Sequence, residues 1–394
     1  MKLIGLRGVT FLLLIVTLLG GCSAKTAGSY YKEGIKNFKN KDYEKAEENL
    51  HKALELNGER AEYYIDYGMT LVMIGEFETA EKYFDKAILD KDNSIVNKNN
   101  KLALRGKGIN YYMSFDYVNA IAEFEKALAI KELDSLDTDI LYYIGSAQTK
   151  AGLYEEAVAT YTKILDKNPS DATTYIERGF VYGKLSDFEN GLKDYDKAIG
   201  LDKHNYDYYF GKYFLLLDKE DITGAKAVLE EAANLEVVTK EDAFNLAKVH
   251  YYMEDYEVAK VELSEAGRSG FSNSYLYLGN IYKIAGDYET AIFNYKQLID
   301  TEASEKSATV YNQLGVCYLE LEQYKEALDS LQTGIKYNDI FIDRSLRRNL
   351  ITALEGLGQY DDAYKQMKEY LKLYKADTEA EREMEYIKTR IKSN

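Results

Sequence analysis

The apolar pattern of this chain recurs with the period of a helical hairpin, and that recurrence limits the possible folds more than any other feature. In one stretch Leu278, Ile281 and Tyr282 fall on one helical face, and Ala291, Tyr295 and Leu298 make a second stripe. Gly286 supplies a turn between them, and Asp287 stands where an N-cap accepts hydrogen bonds from free helical N–H groups. The stretch therefore reads as two short antiparallel helices. Gly279 lies inside the first, where glycine costs about 1 kcal/mol relative to alanine, so close approach of the second helix must offset it.

The small residue that opens the second stripe marks the copies: Ala46, Ala80, Ala120, Ala157, Gly191, Ala225, Ala259, Ala291, Ala327 and Ala363. Their spacings are 34, 40, 37, 34, 34, 34, 32, 36 and 36 residues. The pattern Tyr275-x2-Leu278-Gly279-x2-Tyr282, followed by Ala291-x3-Tyr295, resembles the tetratricopeptide repeat, whose period is about 34 residues. Tyrosine replaces the family's first tryptophan, and the chain contains no tryptophan at all. Pro169, the sole proline, falls in an inter-repeat turn where no helical N–H is lost. The resemblance implies an all-α fold, a right-handed superhelical solenoid of about ten helix-turn-helix repeats over residues 30–376, closed by a capping helix over residues 377–394.

A repeat array grows by addition and needs no single large core, so 394 residues are expected to form one elongated domain rather than several. The formal net charge is −16, and −18 without Lys2 and Arg7, which leaves 48 basic against 66 acidic residues. Such a surface repels nucleic acid and anionic lipid headgroups and favours neutral or basic partners, although charge alone also serves solubility.

Residues 1–21 read as a targeting segment. Lys2 and Arg7 precede the apolar run Val9–Leu19, which is shorter than the roughly 20 residues a membrane span needs and matches a signal-peptide core. Leu19-Gly20-Gly21-Cys22 resembles the lipobox of bacterial lipoproteins, which implies cleavage and acylation at Cys22. The alternatives are an uncleaved anchor or an ordinary secretory signal. Residues 22–29 then form the lipidated cysteine and a short tether, reaching at most about 25 Å, with anchoring on the extracytoplasmic face of a bacterial membrane and membrane contact through lipid only. Cys317, the other cysteine, is left without a disulfide partner and reads as a buried thiol.

Several stretches depart from the pattern. Lys91–Lys101, rich in asparagine and aspartate, reads as a polar loop inserted between hairpins; Ile95 and Lys101 stand where an EF-hand needs glycine and glutamate, so calcium is excluded. Repeats six and seven carry Tyr213 and Ala247 in place of glycine, and His250 replaces tyrosine, through drift or through a local change of curvature. In the tail, Thr378 and Glu381 have capping-box spacing and Ala380, Met384, Ile387 and Ile391 form a stripe, as a solenoid cap requires.

No chemistry stands out. His51, His204 and His250 lie in three repeats without a paired metal-ligand motif, and there is no P-loop, no complete GxGxxG and no GxSxG elbow. No enzyme activity, cofactor or metal is expected. The repeat family instead lines a groove from positions three before, one after and four after its first-helix glycine. Mapped here, these are Tyr31, Ile35 and Phe38; Ile65, Met69 and Val72; Ile109 and Tyr112; Tyr142; Ile176 and Phe180; Phe210, Phe214 and Leu217; Phe244 and Tyr251. The series turns polar at Asn280, Lys283, Asn312, Arg348 and Glu355. Packing between hairpins is the competing role for each of these residues, and a convex face is the competing surface. The Lys/Asn clamp by which some relatives bind a C-terminal carboxylate is missing, since Leu276 stands where it needs lysine. The expected function is a lipid-anchored scaffold for protein or peptide partners; delivery of another exported protein in the manner of a pilotin, or an accessory role beside an envelope enzyme, are the alternatives.

Overall fold

The computed structural model describes residues 25–301, 307–337, 339 and 342–391; Cys22 and the leader before it lie outside the described residues. Among the described residues there are 21 α-helices, one short 3₁₀ turn and no strand. The chain divides into two compact units, the first ending at Ser170 and the second starting at Asp171.

The first unit holds four hairpins: α1 (Ala27–Lys39) with α2 (Tyr43–Leu56), α3 (Ala61–Met73) with α4 (Phe77–Ala87), α5 (Ser94–Met113) with α6 (Tyr117–Ala129), and α7 (Asp137–Lys150) with α8 (Tyr154–Lys167). Each second helix packs on the next first helix, and first helices touch one another from α1 to α7.

The second unit continues the same rule with six hairpins and a final helix. These are α9 (Ala172–Lys184) with α10 (Phe188–Leu201), α11 (Tyr206–Asp218) with α12 (Ile222–Ala233), and α13 (Lys240–Tyr252) with α14 (Tyr256–Arg268). They are followed by α15 (Ser274–Ile284) with α16 (Tyr288–Asp300), α17 (Ala308–Glu320) with α18 (Tyr324–Ile335), α19 (Asp343–Gly356) with α20 (Tyr360–Leu373), and α21 (Thr378–Ile391). Helix α21 packs on α20, where its Ala380 and Ile387 are buried.

One crossing recurs inside the hairpins. The small residue of each second helix is buried against the first helix, and the side chain four positions later, such as Leu50, Phe84, Phe124, Tyr161 or Tyr295, is buried with it. That large side chain lies against the glycine of the first helix. A Cβ on Gly279 would sit 2.4 Å from Cε1 of Tyr295, and one on Gly68 would sit 2.8 Å from Cε1 of Phe84. The glycine leaves room for a ring whose burial stabilises by about 1.5–3 kcal/mol, more than glycine's cost within a helix.

The turns share one geometry as well. Lys41, Gly75, Phe115, Gly152, Ser186, Glu220, Glu254, Gly286, Glu322 and Gly358 all have positive φ, each five positions before the small residue of its repeat. In each hairpin the next N–H closes a Schellman bond back to the first helix, as Asp287 N to Tyr282 O at 2.9 Å and Glu76 N to Leu71 O at 2.9 Å. Only four of the ten residues are glycine. Asp287 caps α16 as expected, its carboxylate accepting from the Thr290 N–H at 3.1 Å, and Asp116, Asp187 and Asp221 do the same for α6, α10 and α12.

Three local expectations are corrected. The segment expected to be a loop within Lys91–Lys101 is helical from Ser94, so the extra residues lengthen α5. Asn93 caps it by accepting from Val96 N–H, and Asn100 bonds both the N–H and the carbonyl of Leu89 at 2.9 and 2.8 Å. Lys101, fully buried, donates to Ile130 O at 2.9 Å and to Asp137 Oδ1 at 2.6 Å, tying the extended helix to the start of α7. At the N-terminus the expected tether gives way to α1 at Ala27, because Thr26 caps it by accepting from Ser29 N–H. At the other end Asp377, not Thr378, accepts from the Ala380 N–H at 3.0 Å. Tyr370 and Arg344 donate to the other oxygen of Asp377, and these bonds hold its carboxyl well below the usual carboxylate range. Cys317 is fully buried in α17, and burial pushes its thiol up to about 11. The thiolate is therefore scarce at neutral pH.

Two outcomes test this packing. Gly279→Ala gains about 1 kcal/mol of helix propensity but overpacks a ring whose hydroxyl is held by Asn280 at 2.8 Å. A net loss of about 1–2 kcal/mol in thermal or denaturant unfolding is expected, and unchanged stability would count against the crossing. Glu220→Gly relieves a left-handed backbone at an exposed turn and is expected to raise stability by about 1 kcal/mol in the same measurement.

Candidate functional site

The residues mapped onto the groove divide by position along their helices. Ile65, Ile109, Phe210, Asn312 and Val72 are buried. They belong to hairpin packing rather than to an accessible surface: Ile65 packs with Ala87 and Ala103, Ile109 with Phe124, and Phe210 with Tyr206 and Val249. The reason is that a first helix has neighbours on several sides, so positions on its face that point at the adjacent hairpin are covered.

In the first unit the half-buried members are already engaged. Tyr31 stacks on Tyr63 at 4.4 Å between ring centroids and donates its hydroxyl to Asp66 Oδ2 at 2.5 Å. Burial, reinforced by that carboxylate, pushes the Tyr31 phenol far up, and burial also raises Asp66. Phe38 meets Tyr43 edge-on at 5.4 Å, and Met69 packs at the margin of the core. Tyr112 bonds Ser146 Oγ at 2.8 Å and meets Tyr143 edge-on at 5.7 Å, while Tyr142 meets Tyr161 at 6.1 Å.

In the second unit two of the mapped residues are brought together and left open. Phe180 on α9 and Phe214 on α11 are 44% and 45% exposed, and both line one cleft of about 290 Å³. Gly183 and Gly211 form its walls with Leu215, and Tyr195 reaches it from α10. A Cβ on Gly211 would stand 2.3 Å from Tyr195 Cε1, and one on Gly183 would stand 2.6 Å from Leu215 Cδ1, so glycine allows the close packing beneath the opening. Lys184, whose Nζ lies 4.9 Å from the Phe180 ring centroid, and Asp218 give the cleft one charge of each sign. The repeat pattern does not single out Gly183, Lys184, Tyr195, Gly211 or Asp218. The available signal was the pair of extra glycines, Gly183 four residues after Gly179 and Gly211 two before Tyr213.

Beyond the cleft the same helix position becomes polar. Lys248 on α13 follows Phe180 and Phe214 in register, and its Nζ lies 4.4 Å from the centroid of Phe210 and 5.7 Å from that of Phe244. Burial pushes its ammonium below the usual lysine value, against the opposing fields of Asp207 and Glu241. Phe244 stacks on Phe271 at 5.2 Å, and Tyr251 contacts Tyr252 and Tyr277 at 5.2 and 5.0 Å. Asn280 donates to the Tyr251 hydroxyl at 3.4 Å and accepts from Tyr295 at 2.8 Å, which uses both ends of its amide. Asn312 accepts from Asn349 at 3.0 Å, Lys283 donates to Gln313 at 2.6 Å, and Arg348 pairs with Glu383 on α21 at 2.5 Å.

No group of three or more metal-ligating side chains occurs among the described residues. His250 pairs with Glu262 through Nδ1 at 2.6 Å, a contact between the helices of one hairpin. No described helix is long and apolar enough to cross a membrane. What the exposed arrangement offers chemically is apolar area beside hydrogen-bonding groups, the composition of a surface that holds a peptide.

Comparison with known proteins agrees with this construction. Models of the tetratricopeptide repeat match residues 31–94, 139–171, 172–205, 272–304 and 308–340. The Hsp70-Hsp90 organizing protein of Triticum aestivum is 30% identical over 202 residues, which is 43% of this chain and 34% of that protein. Hsp70-Hsp90 organizing protein 1 of Glycine max is 31% identical over 198 residues, 42% of this chain and 34% of the relative. The chain thus spans about a third of the length of these relatives. Among solved structures, a tetratricopeptide repeat protein from Parabacteroides merdae aligns with a TM-score of 0.47 at 16% identity, covering 64% of this chain and 98% of that one. With its hairpins in one register and its glycines seated against large side chains, the chain belongs to the tetratricopeptide repeat family.

Proposed function

We propose that the chain is a scaffold that holds protein partners through a peptide segment, anchored by an apolar side chain seated between Phe180 and Phe214. The observation that carries this reading is that two large aromatic residues stand nearly half exposed on neighbouring first helices and share one open cleft. Exposed apolar area of this kind is costly in water and contributes to affinity when a partner covers it. Lys184 and Asp218 at the margin orient a backbone or a charged neighbour without setting a strong preference of sign. A chaperone C-terminal tail is not favoured as the partner. Although the relatives carry chaperone names, Asn280 is engaged by Tyr251 and Tyr295, and Leu276 occupies the position where a carboxylate clamp needs a cation.

The scaffold is further proposed to be tethered to a bacterial membrane by acyl chains on Cys22. Support comes from Lys2, Arg7, the apolar run Val9–Leu19 and the sequence Leu19-Gly20-Gly21-Cys22. An acyl chain contributes about 0.8 kcal/mol per buried CH₂, so multiple chains suffice for stable anchoring.

Selection of binding peptides from a random displayed library, followed by titration, tests the cleft. Phe180→Ser with Phe214→Ser is expected to weaken the selected peptides at least about ten-fold with helicity unchanged, since each truncated anchor costs on the order of 1–2 kcal/mol. Peptides bound equally by the double variant would remove the cleft from the site. For the anchor, Cys22→Ala is expected to move the protein from the membrane to the soluble fraction of expressing cells, and a membrane-retained variant would defeat lipid attachment.

A further inference from the structure

Hairpins six and seven, two of the three that lack the consensus glycine, frame a second opening lined by residues other than those of the Phe180–Phe214 cleft. Tyr213 stands at the glycine position of α11, and its ring meets Tyr252 of α13 at 5.5 Å between centroids. Together they line a cleft of about 610 Å³ between hairpins six and seven, roughly twice the volume of the first. Its walls come from Leu217, from Ile222 and Leu229 of α12, and from Met253 in the turn after α13. Ile222 is 53% exposed and Met253 40% exposed, so the opening presents apolar side chains to water.

Charge decides what fits. Glu230 and Glu254 line the opening beside a single cation, Lys226, and no ion pair among the described residues engages any of the three. Lys226 and Glu230 lie four apart on α12 without closing a bridge. Two aromatic faces, aliphatic walls and an excess of unneutralised carboxylate complement a planar cation joined to an aliphatic neighbour. The acidic balance of the whole chain, −16, draws the same kind of partner by its long-range field.

We propose that the cleft between hairpins six and seven is a second docking site, which takes a segment of a partner protein carrying a leucine–arginine pair. The leucine packs against Ile222 and Met253, and the guanidinium lies over the Tyr213 and Tyr252 rings within reach of Glu230 and Glu254. Arginine is favoured over lysine because its flat, weakly hydrated head stacks on rings and still donates to carboxylates at its edge. The site shares no lining residue with the first cleft, although Phe214 meets Tyr213 and Tyr252 at 5.1 and 5.3 Å between centroids, so Phe180 is the residue that separates the two.

Fluorescence anisotropy with the full chain tests this, using a labelled synthetic peptide with two Leu–Arg pairs and its Leu–Glu, Leu–Lys and Ser–Arg counterparts. The Leu–Arg peptide is expected to bind at least ten-fold more tightly than the Leu–Glu and Ser–Arg peptides, and more tightly than Leu–Lys, with affinity falling as salt rises. Glu230→Gln with Glu254→Gln, both exposed and without structural partners, is expected to reduce binding three- to ten-fold. Ile222→Ser is expected to reduce it further, while Phe180→Ser, which lies outside the Tyr213–Tyr252 ring group, leaves it unchanged. Equal binding of the Leu–Glu peptide, indifference to the double glutamine variant, or absence of Leu–Arg binding at millimolar peptide would overturn the proposal. So would self-association of the unliganded chain in sedimentation that Ile222→Ser abolishes, because a second copy would then be the occupant.

Discussion

The contact on which the rest of the structure depends is a glycine in one helix lying flat against a large side chain of the next. It brings two helix axes close enough for the small residue of the second helix to be buried, and it converts a pair of helices, all but α5 of 11 to 14 residues and marginal alone, into a unit worth stacking. Neither helix is long or apolar enough to be stable alone. Their second faces are satisfied only by the next hairpin, so stability in each unit accumulates from neighbour to neighbour.

Where this contact is altered, surface features appear. Hairpin six replaces the glycine by Tyr213, whose ring meets Tyr252 of the next hairpin at 5.5 Å between centroids. The aromatic side chains of α11 and α13 thereby form a connected group, with Phe214, Tyr251 and Tyr277 joined to Tyr252 at 5.2–6.2 Å. Clefts open on two sides of that group. The place taken by Phe84, Phe124 or Tyr295 in other repeats is filled in hairpin six by Leu229, also buried.

Much of the fold was legible before any coordinates. The ten small residues, the turn at Gly286 and the cap at Asp287 are local matters, set by helix periodicity and by the hydrogen-bonding reach of a carboxylate. The failures were of two kinds. Polar composition suggested a loop at Lys91–Lys101, yet from Ser94 the segment is helical, and Asn93, Asn100 and Lys101 use their polar groups to cap, brace and tether the extended helix. Of the residues mapped onto the groove, Ile65, Ile109, Phe210 and Asn312 turned out to be covered, because family position fixes a direction around one helix axis but not which neighbour lies there.

The sequence by itself determined the hairpin, its register and the positions of its crossings, since each follows from interactions within about 20 residues along the chain. Only the tertiary structure decided that Phe180 and Phe214 stay open while Phe210 is buried, and that Tyr213 looks toward Tyr252. Those outcomes depend on side chains that α9, α10 and α11 bring together around one cleft and that α11 and α13 bring together at the ring contact. No periodicity in a single segment carries that arrangement.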